Sequence, residues 1–137
     1  DLGDVADFAQ TSPEEVIKRH TDTDYLIYFL GFLPGFAYMG SVDQQIAMPR
    51  LATPRLSIPA GSIGIAGQQT GFYPVASPGG WRLIGQTPIR LYDPQSPQSF
   101  YQAGDYVRFV PVNQREFKQI QAAVERDQYQ VEVIDHA

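Results

Sequence analysis

The chain has 137 residues, a formal net charge of −5 and a sequence pI near 4.8; a surface of that sign argues against nucleic-acid binding, which needs cations that displace counterions from phosphates. It contains no cysteine, which excludes disulfides, thiol catalysis and thiolate metal sites and fits a reducing cytoplasm. No apolar run approaches the ~20 residues of a membrane span, and no signal-peptide pattern opens the chain.

Hydrophobic content of 43% with 18% charge is ordinary for a globular protein, and the length suits one domain over 1–137 with its own core. The sequence starts at Asp1-Leu2-Gly3 without an initiating Met. It therefore reads as an excised piece of a longer protein from which a preceding domain is absent.

In chain order, Thr11-Ser12-Pro13-Glu14-Glu15 is a helix start, with Ser12 as N-cap, Pro13 at the first helical position and Glu15 closing a capping box. The helix runs to about Arg19. Residues 24–30 are aromatic and β-branched and read as a buried strand ending at the turn Gly31-Phe32-Leu33-Pro34-Gly35-Phe36. Further strands are expected at 62–66, 71–75, 81–85, 89–92 and 105–111, each bounded by Gly, Pro or Asp. Short strands at such close spacing predict a mostly β chain, closed into a barrel. Asn113 starts a second helix with Glu116 three residues on and an apolar stripe of Phe117, Ile120 and Val124. Residues 128–134 alternate apolar and polar and read as a half-buried strand. The expected architecture is thus a β-barrel with two short flanking helices.

Between Gln44 and Tyr92 there is no Asp or Glu, yet the segment holds Arg50, Arg55, Arg82 and Arg90, six of the eleven prolines and seven of the twelve glycines. Its formal charge of +4 leaves −9 for the flanks. Arginine with no carboxylate near in sequence is free to meet an anion from elsewhere. The alternative is loops between strands with arginines on a solubilising surface.

Several chemistries fail on inspection. Gly61-Ser62-Ile63-Gly64-Ile65-Ala66-Gly67 is glycine-rich, but a phosphate loop needs a following Lys and a helix, and the only lysines are Lys18 and Lys118. The two histidines, His20 and His136, form no zinc spacing. His20 is the one candidate base, and a capping or core-edge role suits it better. Asp43, Asp93 and Asp105 sit at turns, where capping explains them. Ser77-Pro78-Gly79-Gly80-Trp81 differs: paired glycines can bring backbone N–H groups to a ligand as a nest, with Trp81 as a flat wall. A tight turn with Trp81 in the core is the other reading.

The ordered motifs Gly31-Phe32-Leu33-Pro34-Gly35-Phe36, Pro49-Arg50 with Pro54-Arg55, Ile58-Pro59-Ala60-Gly61-Ser62, Gly67-Gln68-Gln69-Thr70-Gly71-Phe72-Tyr73-Pro74 and Ser77-Pro78-Gly79-Gly80-Trp81-Arg82-Leu83-Ile84-Gly85 resemble the allophanate hydrolase subunit 1 family. That family includes a sporulation kinase inhibitor and the B subunit of bacterial 5-oxoprolinase. The resemblance runs from about Ser12 to Val112. It implies a cyclophilin-like β-barrel, the C-terminal domain of the family's longer chain.

Three functions follow from the resemblance as expectations. The first is a non-autonomous subunit that, with partner subunits, opens the lactam of 5-oxo-L-proline to glutamate at the expense of ATP. Nucleotide chemistry would then sit on the partners, and this chain would bind no cofactor. The second is an inhibitor that docks on the dimerisation domain of a histidine kinase through exposed Phe36, Phe72, Tyr73 and Trp81. The third is part of an allophanate hydrolase or urea carboxylase-type carboxyltransferase, with biotin carried elsewhere. In each case the expected ligand or partner groove comprises Phe36, Arg50, Arg55, Gln68, Thr70, Phe72, Tyr73, Gly79, Gly80, Trp81 and Arg82, with no metal and no assigned catalytic group.

Overall fold

The structure is a computed structural model and describes residues 1–33, 35–92, 101–126 and 128–133. Its helices are α1 (Leu2–Ala9), α2 (Pro13–Thr21) and α3 (Gln114–Glu125). Its strands are β1 (Tyr25–Leu30), β2 (Ala37–Gly40), β3 (Arg55–Ile58), β4 (Ser62–Ala66), β5 (Gln69–Phe72), β6 (Ser77–Gly79), β7 (Arg82–Gln86) and β8 (Tyr106–Val107). Six of them form one antiparallel sheet in the order β7-β4-β5-β2-β1-β8, and β3 pairs with β6 in a separate two-stranded ladder. The mostly β reading therefore holds. Among the described residues no pairing joins β7 to β8.

Alternation along the strands divides the interior in two. One face of the sheet carries Tyr25, Ile27, Met39, Ile65 and Phe72 into the main core, where Val5, Ala6 and Ala9 of α1 and Val16 of α2 meet them. On the other face, Phe36, Ile58, Tyr73 and Trp81 make a smaller core with the β3–β6 ladder. Gly71 lies between Thr70 and Phe72 and so points to this second face. A Cβ there would stand 2.7 Å from the Ala37 carbonyl oxygen and 3.2 Å from Trp81. The bare glycine is what lets the Trp81 and Phe36 rings lie against the sheet.

Local signals account for the helix ends. Ser12 Oγ accepts from the Glu15 N–H at 3.2 Å, and Pro13 opens α2. The Glu15 side chain does not complete the box; it pairs with Arg19 at 3.3 Å. At α3 both halves of the box form between Asn113 and Glu116. No α3 residue is buried, and Phe117, Ile120 and Val124 are only half-covered.

Elsewhere structure and expectation part. Among the described residues there are three α-helices, because α1 also forms: Val5, Ala6 and Ala9 recur at helical spacing and are buried. Residues 89–92 form no strand, although Leu91 is buried in the main core; apolar content there serves packing without a pairing partner. Only 106–107 of the 105–111 segment pairs with β1, and Phe109 instead stacks on His20 at 4.8 Å. Residues 128–133 are not strand, and the rest of that expected element lies outside the described residues, as do Asp93 and His136. No helix among the described residues is long and apolar enough to cross a membrane.

Candidate functional site

Residues 48–55 run along the ends of the strands that follow the glycine-rich hairpin. Met48 O accepts from Gly67 N–H at 2.9 Å, Pro49 O accepts from Arg82 Nε at 3.0 Å, and Leu51 N–H donates to Gly80 O at 2.6 Å. Arg55 then faces Gly79 across the β3–β6 register. These contacts set Arg55, Gly79, Gly80 and Arg82 beside the segment that carries Arg50, as one rim, while Gln68 stays at the β4–β5 turn, where its carbonyl accepts from the Val42 N–H. Phe36, Tyr73 and Trp81 lie beneath them as its floor, with edge-to-face ring separations of 5.0 Å for Phe36–Tyr73 and 5.3 Å for Phe36–Trp81.

The arginines differ in their partners. Arg55 Nη2 pairs with Asp1 Oδ1, while Asp1 Oδ2 accepts from the Leu83 N–H at 2.8 Å. The Asp1 side chain is 7% exposed, against 34% for Arg55. Arg55 Nη1 is buried with no hydrogen-bond partner among the described residues. Arg50 is exposed. The Asp1 side chain therefore sits between Arg55 and the backbone of Leu83, the residue that follows Arg82.

Tyr73 is the polar feature of the floor. Burial raises its phenol, and a hydrogen bond from the Trp81 backbone N–H pulls the other way, with Arg50 and Arg55 adding smaller contributions in that direction. The hydroxyl is therefore protonated at neutral pH and held beside two guanidiniums. Gly79 exists to admit it: a Cβ there would lie 2.5 Å from the Tyr73 hydroxyl and 2.8 Å from Ile58 Cδ1.

Two expectations change on this geometry. The Gly79-Gly80 pair is not a nest, because neither glycine takes a positive φ and Gly79 is part of β6. Trp81 is in the core, as the other reading of that turn had it, with 5% exposure. The exposed ring surface invoked for kinase docking is likewise not found, since Phe36, Phe72, Tyr73 and Trp81 are all buried. The exposed rings include instead Tyr28, Phe29 and Phe32.

Thr70 and Phe72 point away from the rim. Phe72 packs in the main core against Tyr101 at 5.2 Å. Thr70 is fully buried, donates to Gly64 O at 3.0 Å and meets His20 Nε2 at 2.8 Å. Strand alternation places both opposite Gly71, a signal already present in the order Thr-Gly-Phe. His20 is thus a core residue, its ring against Tyr25 and Phe109 and its carbonyl accepting from Tyr25 Oη at 2.5 Å. Asp1, which reaches the rim from the far end of the chain, had no sequence signal at all. Among the described residues no three His, Cys, Asp or Glu side chains come together in a way that could hold a metal ion.

The chain is similar to several known proteins. The family model "Carboxyltransferase domain, subdomain C and D" matches residues 1–101. The 5-oxoprolinase B subunit of Bacillus subtilis (strain 168) is 52% identical over 118 residues, covering 85% of this chain and 49% of that protein. The 5-oxoprolinase B subunit of Escherichia coli O157:H7 is 50% identical over 112 residues, covering 81% and 51%. The chain therefore spans about half the length of the curated relatives it matches. Among solved structures, a conserved uncharacterised protein from Pyrococcus horikoshii superposes with a TM-score of 0.81 at 53% identity, covering 85% of this chain and 55% of that one. The urea carboxylase of Kluyveromyces lactis shares the fold, with a TM-score of 0.79 at 20% identity over 96% of this chain and 12% of its own.

Proposed function

This chain belongs to the carboxyltransferase-domain family, subdomains C and D, together with the 5-oxoprolinase B subunits, and on that premise we propose that it works as part of the B subunit of a 5-oxoprolinase. In this reading the assembled complex opens the lactam of 5-oxo-L-proline to glutamate with consumption of ATP. The observation that carries the reading is identity of 50–52% to 5-oxoprolinase B subunits across 80–85% of the chain. A match of that extent leaves little of the rim and floor described above outside it.

The chain's own share is recognition. Arg50, Arg55 and Arg82 supply cationic charge for a substrate carboxylate, over the buried ring layer of Phe36, Tyr73 and Trp81. With lysine only at positions 18 and 118 and no phosphate loop, activation by ATP falls to partner subunits. The test is reconstitution. ATP-dependent glutamate formation from 5-oxo-L-proline is measured in partner subunits with and without this protein. Activity that requires it supports the reading; activity equal in its absence, or none in the complete mixture, removes it.

A further inference from the structure

We propose that the Arg55 guanidinium and the Leu83 backbone N–H form a carboxylate receptor filled by the protein's own Asp1, and that a small-molecule carboxylate binds there by displacing it. The inference rests on reading the arginine rim as the ligand-facing surface. Asp1 stands at the N-cap of α1, where an aspartate ordinarily accepts a hydrogen bond from a first-turn N–H. Its side chain makes no such bond. It reaches instead to Arg55 with one oxygen and to the Leu83 N–H, 82 residues along the chain, with the other. One charged donor and one backbone donor on the two oxygens of a planar group is how a carboxylate is recognised.

The site also has capacity that Asp1 leaves unused. Arg55 Nη1 is buried without a hydrogen-bond partner among the described residues. Arg82 immediately precedes Leu83, whose N–H holds Asp1, and residues 44–92 contribute no carboxylate of their own. Displacement is an exchange rather than a loss, because a released Asp1 can cap its own helix while the incoming carboxylate inherits Arg55 and Leu83. A structural ion pair alone would not need the helix to forgo its cap.

The experiment titrates the full chain with 5-oxo-L-proline and, separately, with its carboxamide, reading binding by calorimetry. Asp1→Asn keeps the shape of the side chain and removes the competing charge. It is expected to bind the acid at least ten-fold more tightly than the parent, while the carboxamide does not bind and Arg55→Lys weakens the acid by a similar factor. Thermal melting confirms that each variant folds, and Asp1→Ser, which retains a capping hydroxyl, replaces Asp1→Asn if that variant does not. Affinity unchanged by removing the Asp1 charge, equal binding of acid and carboxamide, or no binding to any folded variant overturns the proposal. A parallel titration with acetate tells a receptor for small carboxylates in general from one for the cyclic acid, and either supports it. Neither partner subunits nor ATP enter the measurement. Carboxylate binding without complex activity would keep the receptor and remove the hydrolase reading.

Discussion

His20 Nε2 lies 2.8 Å from Thr70 Oγ1, and the Thr70 hydroxyl spends its single proton on the Gly64 carbonyl at 3.0 Å. The ring must therefore donate from Nε2, which fixes the neutral Nε2–H tautomer. The contact ties α2 to β5 and β4 across the main core. It is a structural fastening, on the opposite side of the sheet from the arginine rim.

Acid should release that fastening. Burial depresses His20 to about 4 from an ordinary 6.5. The unfolded chain thus binds the proton first, so the stability His20 confers is present above pH 6.5 and is lost as pH falls towards 4. Urea unfolding at pH 7 and pH 5 should differ by ~2 kcal/mol on this account, with His20→Gln showing a smaller pH slope. An equal slope in both proteins would contradict it.

Thr70→Val tests the other partner. The substitution keeps the shape but strands a buried ring N–H, at a cost of about 1–3 kcal/mol in denaturant unfolding. Thr70→Ser, which keeps the hydroxyl, should lose only about 1 kcal/mol. Activity per folded molecule should survive both, since neither touches the rim.

The adjacent glycines should respond differently to alanine. At Gly79 a Cβ would meet the Tyr73 hydroxyl at 2.5 Å, whereas at Gly80 the nearest atom is 3.7 Å away. Gly79→Ala is expected to lower stability by about 1–3 kcal/mol. Gly80→Ala should stay within about 0.5 kcal/mol of the parent. Adding Tyr73→Phe to Gly79→Ala removes the closest clash and should recover part of the loss. Circular-dichroism melts of the three variants check the series.

What the sequence made legible follows the range of the forces involved. Caps act within four residues, so Ser12 and Asn113 announced α2 and α3 correctly. Strand β4 matched at 62–66 because its Gly61 and Gly67 bounds both take positive φ at turns. β3 and β6 escaped notice because Pro54, Pro59 and Pro78 surround or enter them, and proline counts against a strand unless the ladder is short and marginal. That is what a two-stranded ladder is. Helix α1 had no proline or cap signature, and its cap residue turns out to be engaged elsewhere. At the site, the motif order brought the rim residues to attention, but which side of a strand each one faces needed the alternation around Gly71. Long-range pairs such as Asp1 with Arg55 leave no local trace.

The most direct test of the account is Arg82→Ala in the assembled complex. Arg82 is better suited than Arg55, whose removal would strip the partner from a carboxylate only 7% exposed and confound activity with folding. Arg82 makes an exposed hydrogen bond to Pro49 O, so its loss should leave the melting temperature within a few degrees of the parent. If the rim recognises the substrate carboxylate, ATP-dependent opening of 5-oxo-L-proline should fall about ten-fold or more, the worth of one charge-assisted hydrogen bond of roughly 1.5–3 kcal/mol. Full activity in a normally folded, normally assembled Arg82→Ala complex would contradict the central claim.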